Sequence, residues 1–142
     1  MVNWIDSRLY KKIVEIMPIP TVDAITTYRK KFLLLLRNNP PVKDNWWVLS
    51  GRIMRNESLE MAVLRKLFEE TGLKGIIKRR VGFINQIFPE THTISIYFHV
   101  EVNDEVILSD EHREYRWVLE IPENSHPYLR KMINETLGTK CG

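Results

Sequence analysis

Cysteine, glycine and long apolar runs are all scarce in this sequence. Its one cysteine, Cys141, excludes an internal disulfide framework, and we expect a reducing, cytoplasmic location. The longest apolar run, Phe32 to Leu36, is too short to cross a bilayer. The N-terminus also lacks the apolar core and small-residue cleavage site of a secretory signal. We therefore expect no membrane partner.

The charge balance is close to neutral. The 142 residues include 21 basic and 18 acidic side chains, for a net charge of +3. This excess is too small to indicate a nucleic-acid partner, although it favours small anionic ligands. No repeat or Gly/Ser linker interrupts the chain, so we expect one domain, residues 1–142, with a sizeable core.

Amphipathic helices are predicted near both ends of the chain. Apolar residues at helical spacing predict one over residues 5–16, which Pro18 and Pro20 would end. It could pack on its own domain or on a second subunit. The other is expected from Pro127 to Leu137, with Gly138 as its stop.

Strand-forming residues dominate between these helices. Val22 to Tyr28 and Lys31 to Leu36 predict a hairpin that places Asp23 near the entrance of its first strand and Arg37 at the exit of its second. Thr93 to Val100 alternates, and predicts a central strand with its polar face toward a cavity. The order of elements predicts an α/β (α+β) class, with a mixed sheet sandwiched between helices.

The segment from Ser50 to Leu73 concentrates the polar chemistry. We predict a tight turn at Gly51 and then a helix between the N-cap Ser58 and Gly72. A helical wheel separates an apolar core arc from a polar arc. The core arc is Leu59, Met61, Val63, Leu64, Leu67 and Phe68. The polar arc is Ala62, Arg65, Lys66, Glu69 and Glu70.

The polar arc has two interpretations. Adjacent carboxylates, with the Ser50 carbonyl, are hard oxygen donors of the kind that Mg²⁺ prefers. Alternatively, Arg65 to Glu69 and Lys66 to Glu70 are ordinary ion pairs one helical turn apart, each contributing a few tenths of a kcal/mol.

The spacing resembles the box motif of the Nudix family. The matching positions are Gly51, Glu57, Arg65, Leu67, Glu69, Glu70, Gly72 and Leu73. Lys66 stands where the family has glutamate, and Ser50 where a glycine usually precedes the box. The resemblance implies the Nudix fold and a hydrolase of nucleoside diphosphates linked to another group, dependent on magnesium or, in its place, manganese.

The wider sequence resembles the GDP-mannose mannosyl hydrolase branch of that family, which cleaves the bond between the sugar carbon and the phosphate oxygen. The resemblance implies a homodimer and the following roles. Asp23 contacts the base and sugar, Arg37 and Arg52 bind the diphosphate, Arg65 is the box arginine, and His112 is the general base. The metal ligands implied by this resemblance are Ser50, Glu70 and Glu111, and the pair of adjacent carboxylates adds Glu69 as a further expected ligand.

Two other functions remain open at this point. One is a pyrophosphatase that attacks phosphorus in a nucleoside diphosphate derivative or a nucleoside triphosphate. The retained Glu69 favours it. The other is a nucleotide-binding module that has lost catalysis through the departures at Lys66 and Ser50.

Overall fold

The computed structural model describes residues 5–37, 43–105, 107 and 114–138. Its helices are α1 (Ser7–Ile16), α2 (Leu59–Thr71) and α3 (Pro127–Leu137). Its strands are β1 (Ile19–Tyr28), β2 (Lys31–Leu36), β3 (Trp46–Trp47), β4 (Leu49–Arg52), β5 (Gly75–Ile87), β6 (His92–Val102) and β7 (Tyr115–Val118).

The strands form one mixed sheet. Its main path runs β3-β2-β1-β6-β5, and β4 and β7 pair with β1 and β2 respectively. Strands β1 and β6 are parallel, whereas the other pairs are antiparallel. One core cluster includes Val63 and Leu67 of α2, and the other includes Leu129 and Met132 of α3. The predicted mixed sheet between helices is therefore confirmed.

The predicted hairpin is present, but its first strand is longer than expected. Arg29 adopts a positive φ of 57° in the turn between β1 and β2. Strand β1 begins at Ile19 because that residue pairs with Thr93 of β6, a partner far away in the sequence. Asp23 consequently lies in the middle of a central strand and not at its entrance.

Helix α2 has the predicted ends, and its buried face matches the predicted core arc at Leu59, Val63, Leu64 and Leu67 but not at Met61 and Phe68. The Ser58 hydroxyl accepts a hydrogen bond from the Met61 amide, and Gly72 adopts the left-handed conformation that ends the helix. Met61 and Phe68 are 65% and 54% exposed, whereas Ala62 is fully buried. The small Ala62 side chain lets the helix lie close to β1 and β4, so the fit against the sheet and not hydrophobicity decides this part of the face.

Helix α1 contributes no buried residue to the core. Asp6 caps its first turn, as its side chain accepts from the amides of Arg8 and Leu9. The helix lies beside the sheet and presents Tyr10 and Val14 to the cleft described below. Over the described residues, no helix combines the length and the apolar character needed to cross a membrane.

Candidate functional site

An open cleft of about 220 Å³ lies between α1 and the sheet. It brings together three of the residues predicted from the sequence, Arg37, Ser50 and Arg52. The full lining is Tyr10, Val14, Ile19, Thr21, Arg37, Trp47, Ser50, Gly51, Arg52, Gln86, Phe88, Thr91 and Thr93. Two guanidinium groups and several hydroxyls among aromatic rings suit a ligand with an anionic and a flat part.

Arg52 is positioned by the sheet and by α1. Its backbone pairs with Thr21 of β1, which fixes the base of the side chain. The guanidinium carbon lies 4.8 Å from the centre of the Tyr10 ring, within the range of a cation–π contact. This contact holds the positive charge at the wall of the cleft.

Asp23 is a completely buried acid beneath the cleft. Its neighbour across the sheet is Ser50, and burial raises the pKa of its carboxyl to about 6. The side chains of Ser50 and Ser95, the charge of Arg37 and the Gln86 amide lie close enough to oppose part of that rise. Three of these four groups line the cleft, which places Asp23 directly below it.

Buried polar atoms under the cleft have unsatisfied hydrogen-bonding capacity. Neither Asp23 oxygen has a hydrogen-bond partner of good geometry, and the same is true of the Ser95 hydroxyl. We call Asp23 and Ser95 the cleft floor. Since buried polar groups in proteins are nearly always paired, these atoms indicate where a ligand or an ordered water binds.

A second polar cluster holds the loop before α2. The Arg65 guanidinium donates to both Glu57 oxygens, at 2.6 Å and 3.0 Å, and to the Arg52 carbonyl at 3.0 Å. It also donates to Glu69 at 3.1 Å, while the Met54 amide donates to Glu57. We call Glu57, Arg65 and Glu69 the box clasp. Its hydrogen bonds, above all those from Arg65, lower the pKa of the Glu57 carboxyl.

The box clasp bears on the role predicted for Arg65. The side chain is only 17% exposed, and its nitrogens all donate to the loop and to the helix. This arrangement positions β4 and the loop that follows it. Direct contact between Arg65 and a diphosphate remains a prediction.

Lys66 and Glu70 form a third polar contact, on the side of α2 that faces β4. The Lys66 ammonium lies 2.9 Å from Glu70, and the Glu70 side chain is only 10% exposed. Gly51 belongs to strand β4, so the expected tight turn there is wrong. A Cβ atom at Gly51 would lie 2.6 Å from Cγ and Cδ of Lys66. A side chain at position 51 would therefore displace the Lys66 stem.

The donors present fit a divalent ion in chemistry but not in charge. Glu69 and Glu70 offer carboxylate oxygens, as such an ion requires. Each of them, however, is already paired with a cation of the same helix, Arg65 or Lys66. Within the described ranges, no three His, Cys, Asp or Glu side chains converge as a metal-binding group.

Two predicted site residues lie outside the described residues. These are Glu111, expected as a metal ligand, and His112, expected as the general base. Of the histidines that the structure describes in the sheet, His92 contacts Asn85 and His99 contacts Thr27, and neither lines the cleft.

Sequence reasoning missed part of the cleft. Tyr10 of α1 lies on a helix whose packing the sequence left open, and Gln86 carried no recognisable signal. The alternation of β6 did predict a polar face toward a cavity, and Thr93 lines the cleft while Ser95 lies buried below it. Packing between distant elements brings these side chains together.

Comparison with known proteins identifies the family. The NUDIX domain model matches residues 17–130. The chain belongs to the Nudix hydrolase family. It is 27% identical over 134 residues to the low-salt glycan biosynthesis protein Agl8 of Haloferax volcanii, covering 88% of this chain and 86% of that protein. Nudix hydrolases generally use divalent metals such as Mg²⁺.

Two further relatives extend the comparison. An ADP-ribose pyrophosphatase of Methanocaldococcus jannaschii is 32% identical over 112 residues, which cover 70% of this chain and 66% of that Nudix relative. The crystal structure of a MutT protein from Methanosarcina mazei Go1 superposes with a TM-score of 0.63 at 35% identity. The superposition covers 72% of this chain and 78% of that one. Together they support membership of the family and its fold.

Proposed function

We propose that this Nudix protein hydrolyses a nucleoside diphosphate sugar, with GDP-mannose as the first candidate, to a nucleoside diphosphate and a free sugar. The observation that carries the proposal is the cleft in which Arg37 and Arg52 lie above the buried Asp23. Paired guanidinium groups match the charge and geometry of a diphosphate. A hidden acid below them can accept hydrogen bonds from sugar or base groups.

In the proposed reaction water attacks the sugar carbon and not phosphorus. The main requirement is therefore to stabilise the diphosphate leaving group. Water adds to the anomeric carbon while the carbon–oxygen bond breaks, and the electron pair passes to the diphosphate oxygen. Arg37 and Arg52 offset the charge that develops there. The proton lost by water goes to His112, the base that the family resemblance suggests.

A divalent ion, Mg²⁺ or Mn²⁺, would supply further positive charge to the leaving group. Glu70 and the Ser50 carbonyl are the groups that we propose to hold it, with Glu69 and Glu111 as further ligands. The box clasp contributes indirectly, because Arg65 binds the carbonyl of Arg52 and so fixes the end of β4. Homodimerisation and a cytoplasmic location remain proposals from resemblance and composition.

One relative supports the sugar substrate and another favours the alternative. Agl8 is named for glycan biosynthesis, a process that uses activated sugars. The archaeal ADP-ribose pyrophosphatase acts on a nucleoside diphosphate derivative, as the phosphorus-attacking alternative requires. The retained Glu69 is compatible with that alternative too.

Hydrolysis in ¹⁸O-enriched water separates the two chemistries. GDP-mannose and ADP-ribose are incubated with the protein and Mg²⁺, and the products are resolved by mass spectrometry. We expect GDP and mannose, with the heavy oxygen in mannose. Heavy oxygen in a phosphate product would establish the pyrophosphatase instead, and nucleotide binding without turnover would favour the non-catalytic module.

The proposed base is tested separately. His112→Gln should slow turnover by roughly a hundredfold or more, because water then loses its proton acceptor. Affinity for the product GDP, measured by calorimetry, should remain unchanged. A loss below threefold would remove His112 from the mechanism.

A further inference from the structure

Among the described residues, the pair formed by Lys66 and Glu70 is the least exposed ion pair between a lysine and a glutamate. Lys131 and Glu135 of α3 have the same spacing at 2.8 Å, but both side chains are well exposed. Lys66 and Glu70 are only 22% and 10% exposed, and they lie between α2 and the cleft strand β4. A partly buried ammonium loses part of its hydration, and this loss weighs against helix stability as the only role of the pair.

The Lys66 stem is held in place by its surroundings. Its Cγ and Cδ atoms lie against the backbone of Gly51, where a Cβ atom would come within 2.6 Å of them. Gly51 lines the cleft, and its neighbours Ser50 and Arg52 do so as well. The ammonium is therefore directed at Glu70 from a position next to the cleft residues.

The charges of this region balance almost completely. The three carboxylates of Glu57, Glu69 and Glu70 face the two cations of Arg65 and Lys66, which leaves one net negative charge. Glutamate at position 66 would leave three. A site with one net negative charge attracts divalent cations far less strongly than a site with three net negative charges. The difference is greatest where water is partly excluded.

We propose that Lys66 is a built-in cation that takes the place of a second divalent ion beside Glu70, next to the one that Glu70 and the Ser50 carbonyl would hold. The site then recruits at most one divalent ion when the nucleotide binds. Lys66 acts here as a positioning residue, since it works through Glu70 and through the charge of the site. This inference rests on the proposed nucleotide site, but its test counts bound ions and requires no turnover.

The test titrates Mn²⁺ into the full chain with GDP present and counts bound ions by electron paramagnetic resonance. The wild type should bind no more than one Mn²⁺ per chain, and Lys66→Glu should bind one more. Lys66→Met, which keeps the stem against Gly51 and removes the charge, should tighten Mn²⁺ binding by about tenfold or more. Lys131→Met, at the exposed pair, should leave both quantities unchanged.

Several results would decide the matter. Two or more Mn²⁺ in the wild type would overturn the inference, and so would Lys66 variants that match Lys131→Met in number and affinity of ions. No Mn²⁺ in the wild type but one in Lys66→Glu would support the inference and contradict the metal in the proposed function. If Lys66→Glu does not fold, the Mn²⁺ affinity of Lys66→Met tests the inference.

Discussion

The box clasp and the cleft floor are both polar clusters next to strand β4, but they differ in how their hydrogen bonds are satisfied. In the box clasp, Arg65 donates to Glu57, Glu69 and the Arg52 carbonyl. In the cleft floor, the oxygens of Asp23 and the Ser95 hydroxyl lack partners of good geometry. A satisfied cluster stabilises its own loop, whereas an unsatisfied one keeps hydrogen-bonding capacity for a water or a ligand.

The contributions of the two clusters to stability also change with pH in opposite directions. The lowered pKa of Glu57 means that the box clasp adds stability at neutral pH and loses it as the pH falls through that pKa. The raised pKa of Asp23 means that the cleft floor reduces stability once the pH rises toward 6. The first cluster therefore serves the fold, and the second is tolerated at a cost in stability.

Breaking the box clasp should have the largest effect on stability. Arg65→Met leaves the mostly buried Glu57 without its cation, and we expect a loss of about 3 kcal/mol in the free energy of unfolding. Urea denaturation measures it. Lys131→Met breaks an exposed pair of similar length and should lose less than about 0.5 kcal/mol. Equal losses would show that the clasp is an ordinary surface cluster.

Changing the cleft wall should reduce activity and spare the fold. Arg52→Gln removes one of the two guanidinium groups that line the cleft, and we expect turnover of the best nucleotide sugar to fall about a hundredfold. Steady-state kinetics and thermal unfolding are compared for each variant. Arg55→Gln is the matched control, because Arg55 is exposed and lies outside the cleft lining. Comparable turnover in the two variants would argue against the cleft as the site.

The predictable part of this molecule is the local part. The caps Ser58 and Gly72 and the last helix, Pro127 to Leu137, follow from neighbouring residues, and each was predicted correctly. The burial of Asp23 in the middle of β1 was not predicted, since it depends on a parallel partner strand some 70 residues away. The core face of α2 is correct at Val63 and Leu67, but the burial of Ala62 was not predicted because it depends on the fit against the sheet.

The same distinction holds for the candidate site. The sequence indicated the carboxylates of the box, and one interpretation of the polar arc predicted the pairs Arg65–Glu69 and Lys66–Glu70, which the structure shows. It did not indicate that Arg65 would also bind Glu57. Tyr10 reaches the cleft only because α1 lies beside the sheet. Spacing along the chain thus predicts which groups are available, while packing decides which of them meet.

The cleft floor should reveal itself through the pH dependence of stability. The folded chain keeps the Asp23 proton up to about pH 6, whereas the unfolded chain releases it near pH 3.8. Wild-type stability should thus fall relative to Asp23→Asn as the pH rises, by about 2 kcal/mol between pH 4 and pH 7. Urea denaturation across this range measures the difference. Parallel curves would mean that Asp23 titrates normally.

Loss of Glu69 from the box clasp should have the smallest effect on the free energy of unfolding. Glu69→Gln removes a contact between Arg65 and a largely solvated carboxylate, and we expect a stability loss of no more than about 0.5 kcal/mol. Urea denaturation of Glu69→Gln and Arg65→Met, measured under the same conditions, shows how much of the stability from the clasp comes from Glu69 and how much from Glu57. A loss above about 1.5 kcal/mol would make Glu69 part of the structural cluster.

A crystal structure of the chain with bound GDP tests the central claim most directly. We predict diphosphate oxygens within about 3 Å of the guanidinium groups of Arg37 and Arg52, and a ligand atom or ordered water hydrogen-bonded to Asp23. GDP bound away from this cleft, with both arginines and Asp23 untouched, would contradict the account.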